Sequence, residues 1–181
     1  MVLYRRNPIA GGTYFFTVAL LDRRAYTLVE HVDLLRAVYT DVKTKCPFRT
    51  DAMVVMPDHL HAIWTLPAGD KDFSGRWRAI KAGFVRALAS KGVSTQRNGK
   101  GVAGVWQRRF WEHTVRNETD FAAHCDYIHY YPVKHGHVMH PSDWPYSMLH
   151  RFVSEGIYQP DWTKTEAPNE LPATIRLGEP V

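Results

Sequence analysis

The chain has 181 residues, a length that supports one well-buried core and argues against a second domain. Hydrophobic residues make up 45% and charged residues 23%, which excludes the compositions of disordered and fibrous chains. A net charge of +5 and a pI near 9.3 favour an anionic partner, and a 13% aromatic content supplies rings on which unpaired bases stack.

The N-terminal MVLYRRNPIAGG carries basic residues with no apolar signal core behind them. No later run is long enough to span a bilayer, so a cytoplasmic location without membrane contact is expected. Thr13 to Leu21, TYFFTVALL, is β-branched and aromatic after Gly11-Gly12 and reads as a strand. Leu28 to Lys45 places His31, Leu35, Val38 and Val42 at helical spacing, with Pro47 just beyond its end. Phe48 to Met56 and His59 to Leu66 are short apolar runs joined by Pro57-Asp58, the pattern of an antiparallel hairpin.

Asp72 to Ser90 carries an apolar stripe of Phe73, Trp77, Ile80, Phe84 and Leu88, stopped by Gly92. Lys91 to Gly104 is polar and glycine-rich and reads as a mobile loop before a strand over Val105 to Val115. Asn117 caps a third helix, expected to run to about Tyr131 because Pro132 cannot continue it. Cys46 and Cys125 have neither the number nor the spacing of a disulfide framework or a cysteine zinc site.

The order β-α-β-β-α-β followed by a helix predicts an α+β fold: a ferredoxin-like split βαβ antiparallel sheet with an added C-terminal tyrosine-bearing helix. Two helices are expected on one sheet face, leaving the other for the third helix or a ligand. Residues 1–162 form the domain in this reading, and residues 163–181, with three prolines and little periodicity, form a flexible tail.

Strand residues alternate faces, so in HLHAIWTL the residues Leu60, Ala62, Trp64 and Leu66 belong against the helices. His59 and His61 then lie side by side on the opposite face, where two neutral imidazoles suit one divalent cation. Two histidines do not complete a site, and further ligands must come from elsewhere in the fold. An HxH pair alone is more often two partly exposed histidines near a hairpin.

In NETDFAAHCDYIHYYP, Phe121, Cys125 and Ile128 form the stripe that packs on the sheet, with Tyr127 at its edge. Ala123, His124 and Tyr131 share the face of Tyr127, so the helix presents a phenol and a second side chain one turn away. A tyrosine can attack phosphorus and form a covalent intermediate when a cation stabilises the developing charge. A helix-edge tyrosine more commonly seals a core boundary, and Tyr130 and Tyr131 compete for the role.

The segments YRRNPIAGGTYFFTV, VMPDHLHAIWTLP, WQRRFWEHTVRNETDFAAHCDYIHYYPVKHG and DWPYSMLHRFVSEGIYQPDW span nearly everything from Tyr4 to Trp162. In that order they resemble the REP-associated tyrosine transposases, a bacterial branch of the single-tyrosine HUH transposases. The resemblance implies a ferredoxin-like nuclease in which His59 and His61 hold Mg²⁺ or Mn²⁺ and Tyr127 is the nucleophile. It further implies attack on single-stranded DNA, a 5′-phosphotyrosine link and a free 3′-hydroxyl, with no nucleotide cofactor. The implied target is a hairpin of a repetitive extragenic palindrome with a short guide sequence beside its foot.

One departure from the family pattern falls at Tyr131, where the family usually has Asn, or Gln in more distant relatives, as a further metal ligand. A neutral phenol is a poor Mg²⁺ ligand, so Tyr131, His129 and His124 all stand as candidates for that place, with water as another. Arg5 and Arg6 match the family's N-terminal segment and are expected near the guide nucleotides. Arg108, Arg109, Lys134 and Arg151 are further candidates for the DNA path. A monomer is expected, with a dimer as the alternative. The competing function is a catalytically weak or inactive single-stranded nucleic-acid-binding module on the same fold.

Overall fold

The computed structural model describes residues 8–93 and 104–163. Arg5, Arg6, most of the expected Lys91–Gly104 loop and the tail from residue 164 lie outside the described residues. The elements run β1 (Thr13–Ala19), α1 (Thr27–Glu30), α2 (Val32–Lys45), β2 (Arg49–Val55), β3 (His59–Thr65), α3 (Phe73–Ser90), β4 (Trp111–Thr114), α4 (Glu118–Lys134) and α5 (Leu149–Ser154). A short 3₁₀ turn, Pro141–Asp143, lies between α4 and α5. The strands form one antiparallel sheet in the order β2-β3-β1-β4, the split βαβ arrangement expected from the sequence.

Alternation along β1 and β3 divides the side chains between two cores. Tyr14, Phe16, Val18, Leu60, Ala62 and Trp64 face α2 and α3, where Trp77 stacks on Trp64 with ring centroids 4.1 Å apart. Phe15, Ala52, Val54 and Ile63 face the other way and are covered by Cys125, Tyr127, Ile128 and Tyr131 of α4. The third helix therefore occupies the face left open by the first two, and it buries that face rather than framing an exposed groove.

Three boundaries differ from expectation. The first predicted helix is two, because His31 leaves helical geometry (φ −120°, ψ 32°) between α1 and α2. The strand expected over Val105 to Val115 pairs regularly only over β4. Leu20 bridges Trp106 and Thr17 pairs Trp111, so four residues, Gln107 to Phe110, oppose two on β1 and interrupt the ladder.

Helix α4 runs past Pro132 to Lys134. A proline this close to a helix end removes one i→i−4 bond, and the final turn is retained by His135 N–H donating to the Tyr131 carbonyl at 3.1 Å. Beyond it, residues 146–148 run beside β2: Val55 N–H donates to Tyr146 O and Met148 N–H to Met53 O, both at 2.9 Å. That extra edge and α5 were not evident from periodicity, since the pairing is between residues about 90 positions apart.

Candidate active site

His59 and His61 project from β3 toward α4, as the alternation predicts, with ring centroids 5.1 Å apart. Each ring is tied at Nδ1. The nitrogen of His59 lies 2.7 Å from the Asp58 carboxylate, and that of His61 lies 2.9 Å from Thr17 Oγ1 on the paired strand. Both Nε2 atoms are buried and have no hydrogen-bond partner among the described residues. An orienting group on one nitrogen and an uncommitted second nitrogen is the arrangement of a metal-ligating histidine.

Burial pushes both imidazoles below their ordinary range, His61 well below it, where its neighbour His59 adds to the effect. For His59 the Asp58 carboxylate works against burial without overcoming it. Both rings are therefore neutral at pH 7 and chemically suited to a divalent cation. Asp58 itself stays ionised: burial opposes its charge, but the bond from His59 and the Arg23 guanidinium 3.0 Å away outweigh it.

Tyr127 and Tyr131 occupy one face of α4, one turn apart, and both reach this pair. The Tyr127 ring lies 5.3 Å from that of His61, and the Tyr131 ring lies 4.4 Å from His61 and 5.2 Å from His59. Their own centroids are 5.2 Å apart. Expected at the edge of the apolar stripe, Tyr127 is instead only 3% exposed, because Phe15 of β1 and the helix itself close over it. The Lys134 ammonium sits 5.3 Å from the centre of the Tyr127 ring and 5.9 Å from that of Tyr131. His135 covers the far side of Tyr131 at 4.2 Å.

The other candidate ligands lie elsewhere on α4. His129 packs between Phe152 and Tyr158, at 4.8 and 5.3 Å, and its burial, with Arg151 nearby, lowers its pKa to about 3. His124 stacks on His113 of β4 at 4.8 Å and touches Phe15, while its Nδ1 donates to the Asp120 carbonyl. His113, Asp120 and His124 form a second cluster with ligand atoms within 4.8 Å of one another, a set compatible with holding a metal ion. In this arrangement the Asp120 carboxylate accepts from His113 at 2.9 Å and from the backbone and side chain of Arg116. This cluster was not among the expectations from sequence, although the i, i+4 spacing of Asp120 and His124 was a signal for it.

The basic candidates separate. Lys134 is at the paired tyrosines, whereas Arg151 lies by β2, donating to the Asp51 carbonyl at 3.2 Å. Arg108 and Arg109 are exposed on the interruption before β4 and line a cleft against α3. Among the described residues no helix is long and apolar enough to cross a membrane.

No protein-family model matches the chain. Its sequence is 48% identical over 159 residues to a REP-associated tyrosine transposase of Escherichia coli (strain K12), covering 88% of this chain and 89% of that one. A relative in Haemophilus influenzae is 42% identical over 161 residues, covering 88% and 92%. The fold superposes with a TM-score of 0.85, at 44% identity over 100% of this chain and 99% of the other, on a REP-associated tyrosine transposase solved bound to a REP hairpin. Two sequence matches over nearly nine-tenths of the chain and a common fold lead to one assignment: the chain belongs to the REP-associated tyrosine transposases, enzymes that act on DNA.

Proposed function

We propose that this chain cuts and rejoins single-stranded DNA beside a REP-type hairpin, with Tyr127 as nucleophile and His59 and His61 as ligands of Mg²⁺ or Mn²⁺. One observation carries the reading. The Tyr127 ring lies 5.3 Å from that of His61, whose Nδ1 is held by Thr17 and whose Nε2 is left without a partner among the described residues. The solved relative bound to a REP hairpin supports the same substrate class.

In this reading the Tyr127 oxygen attacks phosphorus, a phosphorus–oxygen bond forms to the ring, and the bond to the 3′ oxygen breaks. The phenol gives up its proton and the departing oxygen takes one up as the 3′-hydroxyl, so the step is neutral in protons. One phosphodiester replaces another, and the reverse step needs no nucleotide. His59 and His61 would hold the cation, which would supply Lewis-acid stabilisation of charge on the phosphate. Lys134 sits close to both tyrosine rings, a fixed positive charge beside the phosphate's proposed approach. Because Tyr127 and His61 are 3% and 0% exposed, the scissile phosphate reaches them only when α4 moves relative to the sheet. The working unit is residues 1–162, acting as a monomer.

Tyr131 favours a second reading, a binding module with weak chemistry, because its ring packs against both imidazoles where the family pattern has an amide. The two readings separate with end-labelled hairpin DNA carrying a single-stranded flank, incubated with Mg²⁺ or Mn²⁺ and resolved in SDS. The nuclease reading expects a stable protein–DNA adduct that Tyr127→Phe abolishes. It fails if no adduct forms with either ion, or if Tyr127→Phe forms it equally well. An adduct that appears only in Tyr131→Asn identifies the binding module.

A further inference from the structure

His113 of β4 pairs with Phe15 of β1 and so shares the sheet face that α4 covers. Asp120 and His124 lie one turn apart on α4 and meet it from the helix side. One nitrogen of each ring and one carboxylate oxygen fall within 4.8 Å of one another. The three side chains are almost fully enclosed: 10% exposed for His113, 4% for Asp120 and 0% for His124. The chemistry proposed for Tyr127 uses none of them.

Hydrogen bonding within this cluster is lopsided. Asp120 Oδ2 accepts three times, from His113 Nε2 at 2.9 Å, from Arg116 N–H at 3.0 Å and from Arg116 Nε at 3.1 Å. Oδ1 of the same carboxylate accepts no hydrogen bond, although it lies 3.2 Å from His124 Nδ1, which donates instead to the Asp120 carbonyl at 2.7 Å. His124 Nε2 is also buried without a partner among the described residues. Buried acceptors left in this state cost free energy, and a bound cation recovers it.

Two imidazole nitrogens and one carboxylate oxygen are a donor set for Zn²⁺, which binds such atoms at about 2.0–2.2 Å. A four-coordinate ion at that range holds neighbouring ligand atoms about 3.4 Å apart. The 2.9 and 3.2 Å separations between the carboxylate and the two rings are close to that spacing. Mg²⁺, which demands an octahedron of oxygens, fits this set poorly. The rings of His113 and His124 stack at 4.8 Å and 15°, so uptake of an ion requires one ring to tilt and His113 to release Oδ2. His113, the least enclosed of the three, has room to do so beside Trp111, whose ring centre is 6.1 Å away. The Phe15 ring stands between this cluster and the other histidine pair, 4.8 Å from His124 and 5.4 Å from His61.

We propose that His113, Asp120 and His124 form a Zn²⁺ site that ties α4 to β4, separate from the His59–His61 pair. The assignment does not rest on the strand-cutting reading. Because its ligands come from two elements, the site exists only in the folded chain, and its occupancy stabilises the docked position of α4.

The test uses the full chain, stripped of metal with a chelator and titrated with Zn²⁺ and with Co²⁺. In His59→Gln/His61→Gln, which removes the other pair, calorimetry shows one equivalent of Zn²⁺ bound, and Co²⁺ gives the intense visible bands of a four-coordinate ion. Free Zn²⁺ at about 100 times its Kd raises the melting midpoint of this variant by about 5–10 °C. Adding His113→Gln lowers Zn²⁺ affinity roughly 100-fold or more and removes the midpoint shift. His124→Gln does the same from the helix side, and circular dichroism of the metal-free proteins establishes that the variants are folded.

Two results overturn the proposal. If His59→Gln/His61→Gln takes up no Zn²⁺, the cluster is a hydrogen-bond network only. If uptake survives both His113→Gln and His124→Gln, the ion sits on surface histidines. Adduct formation by Tyr127 is scored in a separate assay, so a chain that forms no adduct yet binds Zn²⁺ here loses the strand-cutting reading and keeps this site.

Discussion

In the proposed site the two histidines are oriented through their Nδ1 atoms by Asp58 and Thr17. Removing such an orienting bond lowers metal affinity about 10- to 100-fold in comparable sites. Thr17→Val is therefore expected to weaken Mn²⁺ binding by that factor, measured by calorimetric titration, while the melting midpoint changes little. Unchanged Mn²⁺ affinity would remove Thr17 from the site. Tyr131→Asn is expected to act in opposite directions on two readouts. An amide oxygen is a better ligand than a neutral phenol, so the metal concentration for half-maximal adduct formation falls. Tyr131 is only 2% exposed, and deleting its ring costs about 3 kcal/mol of stability, read from denaturant unfolding.

At the level of elements, α4 decides whether the phenol and the imidazoles meet, and its first turn is strongly anchored. Asn117 accepts from Asp120 N–H at 2.9 Å, and the Asp120 carboxylate accepts from the N–H of Arg116, the residue before the cap, at 3.0 Å. Burial opposes the charge on Asp120, but the bonds from His113 and Arg116 outweigh it and hold the carboxyl down at about 2. A carboxyl depressed in the folded state adds stability that is complete above its ordinary pKa near 3.8 and is lost as the pH falls toward about 2. Hydrogen-exchange protection factors over residues 118–124 should fall in that window, and Asp120→Asn should show the lower protection already at pH 6. On the other face, α2 and α3 meet at Gly83, where a Cβ would lie 2.5 Å from Val38 Cγ1. Alanine raises helix propensity by about 1 kcal/mol, yet overpacking against a stiff valine costs about 1–3 kcal/mol. Gly83→Ala should therefore melt below the wild type, and a higher midpoint would show that the helices can part without penalty.

Across the whole molecule, one sheet separates two cores, and the second contains an unusual number of buried neutral imidazoles. Burial lowers the pKa of His59, His61, His124 and His129, the last to about 3. In each case the folded pKa lies below the unfolded value near 6.5, so the unfolded chain binds more protons once the pH drops beneath it. Thermal midpoints should be nearly flat above pH 7 and fall steadily between pH 6.5 and about 3, with Asp120 adding its own decline below about 4. A midpoint that stays level down to pH 4 would show that these rings gain partners or solvent on protonation.

The sequence alone determined the order of the four strands and the three main helices, the two faces of β3 and the cap at Asn117, because each rests on local periodicity or on contacts a few residues apart. His59 and His61 share a face since side chains alternate every residue, and no tertiary information is needed to see it. Only the tertiary structure decided that α4 closes over that face, that Thr17 holds His61, and that His113 of β4 meets Asp120 and His124 of α4. It also decided where β4 begins and that α4 passes Pro132. The physical reason is common to all of these. Register, helix docking and the convergence of charges depend on residues far apart in the chain, whose pairing is chosen by burial over the whole core, and no local pattern records that choice.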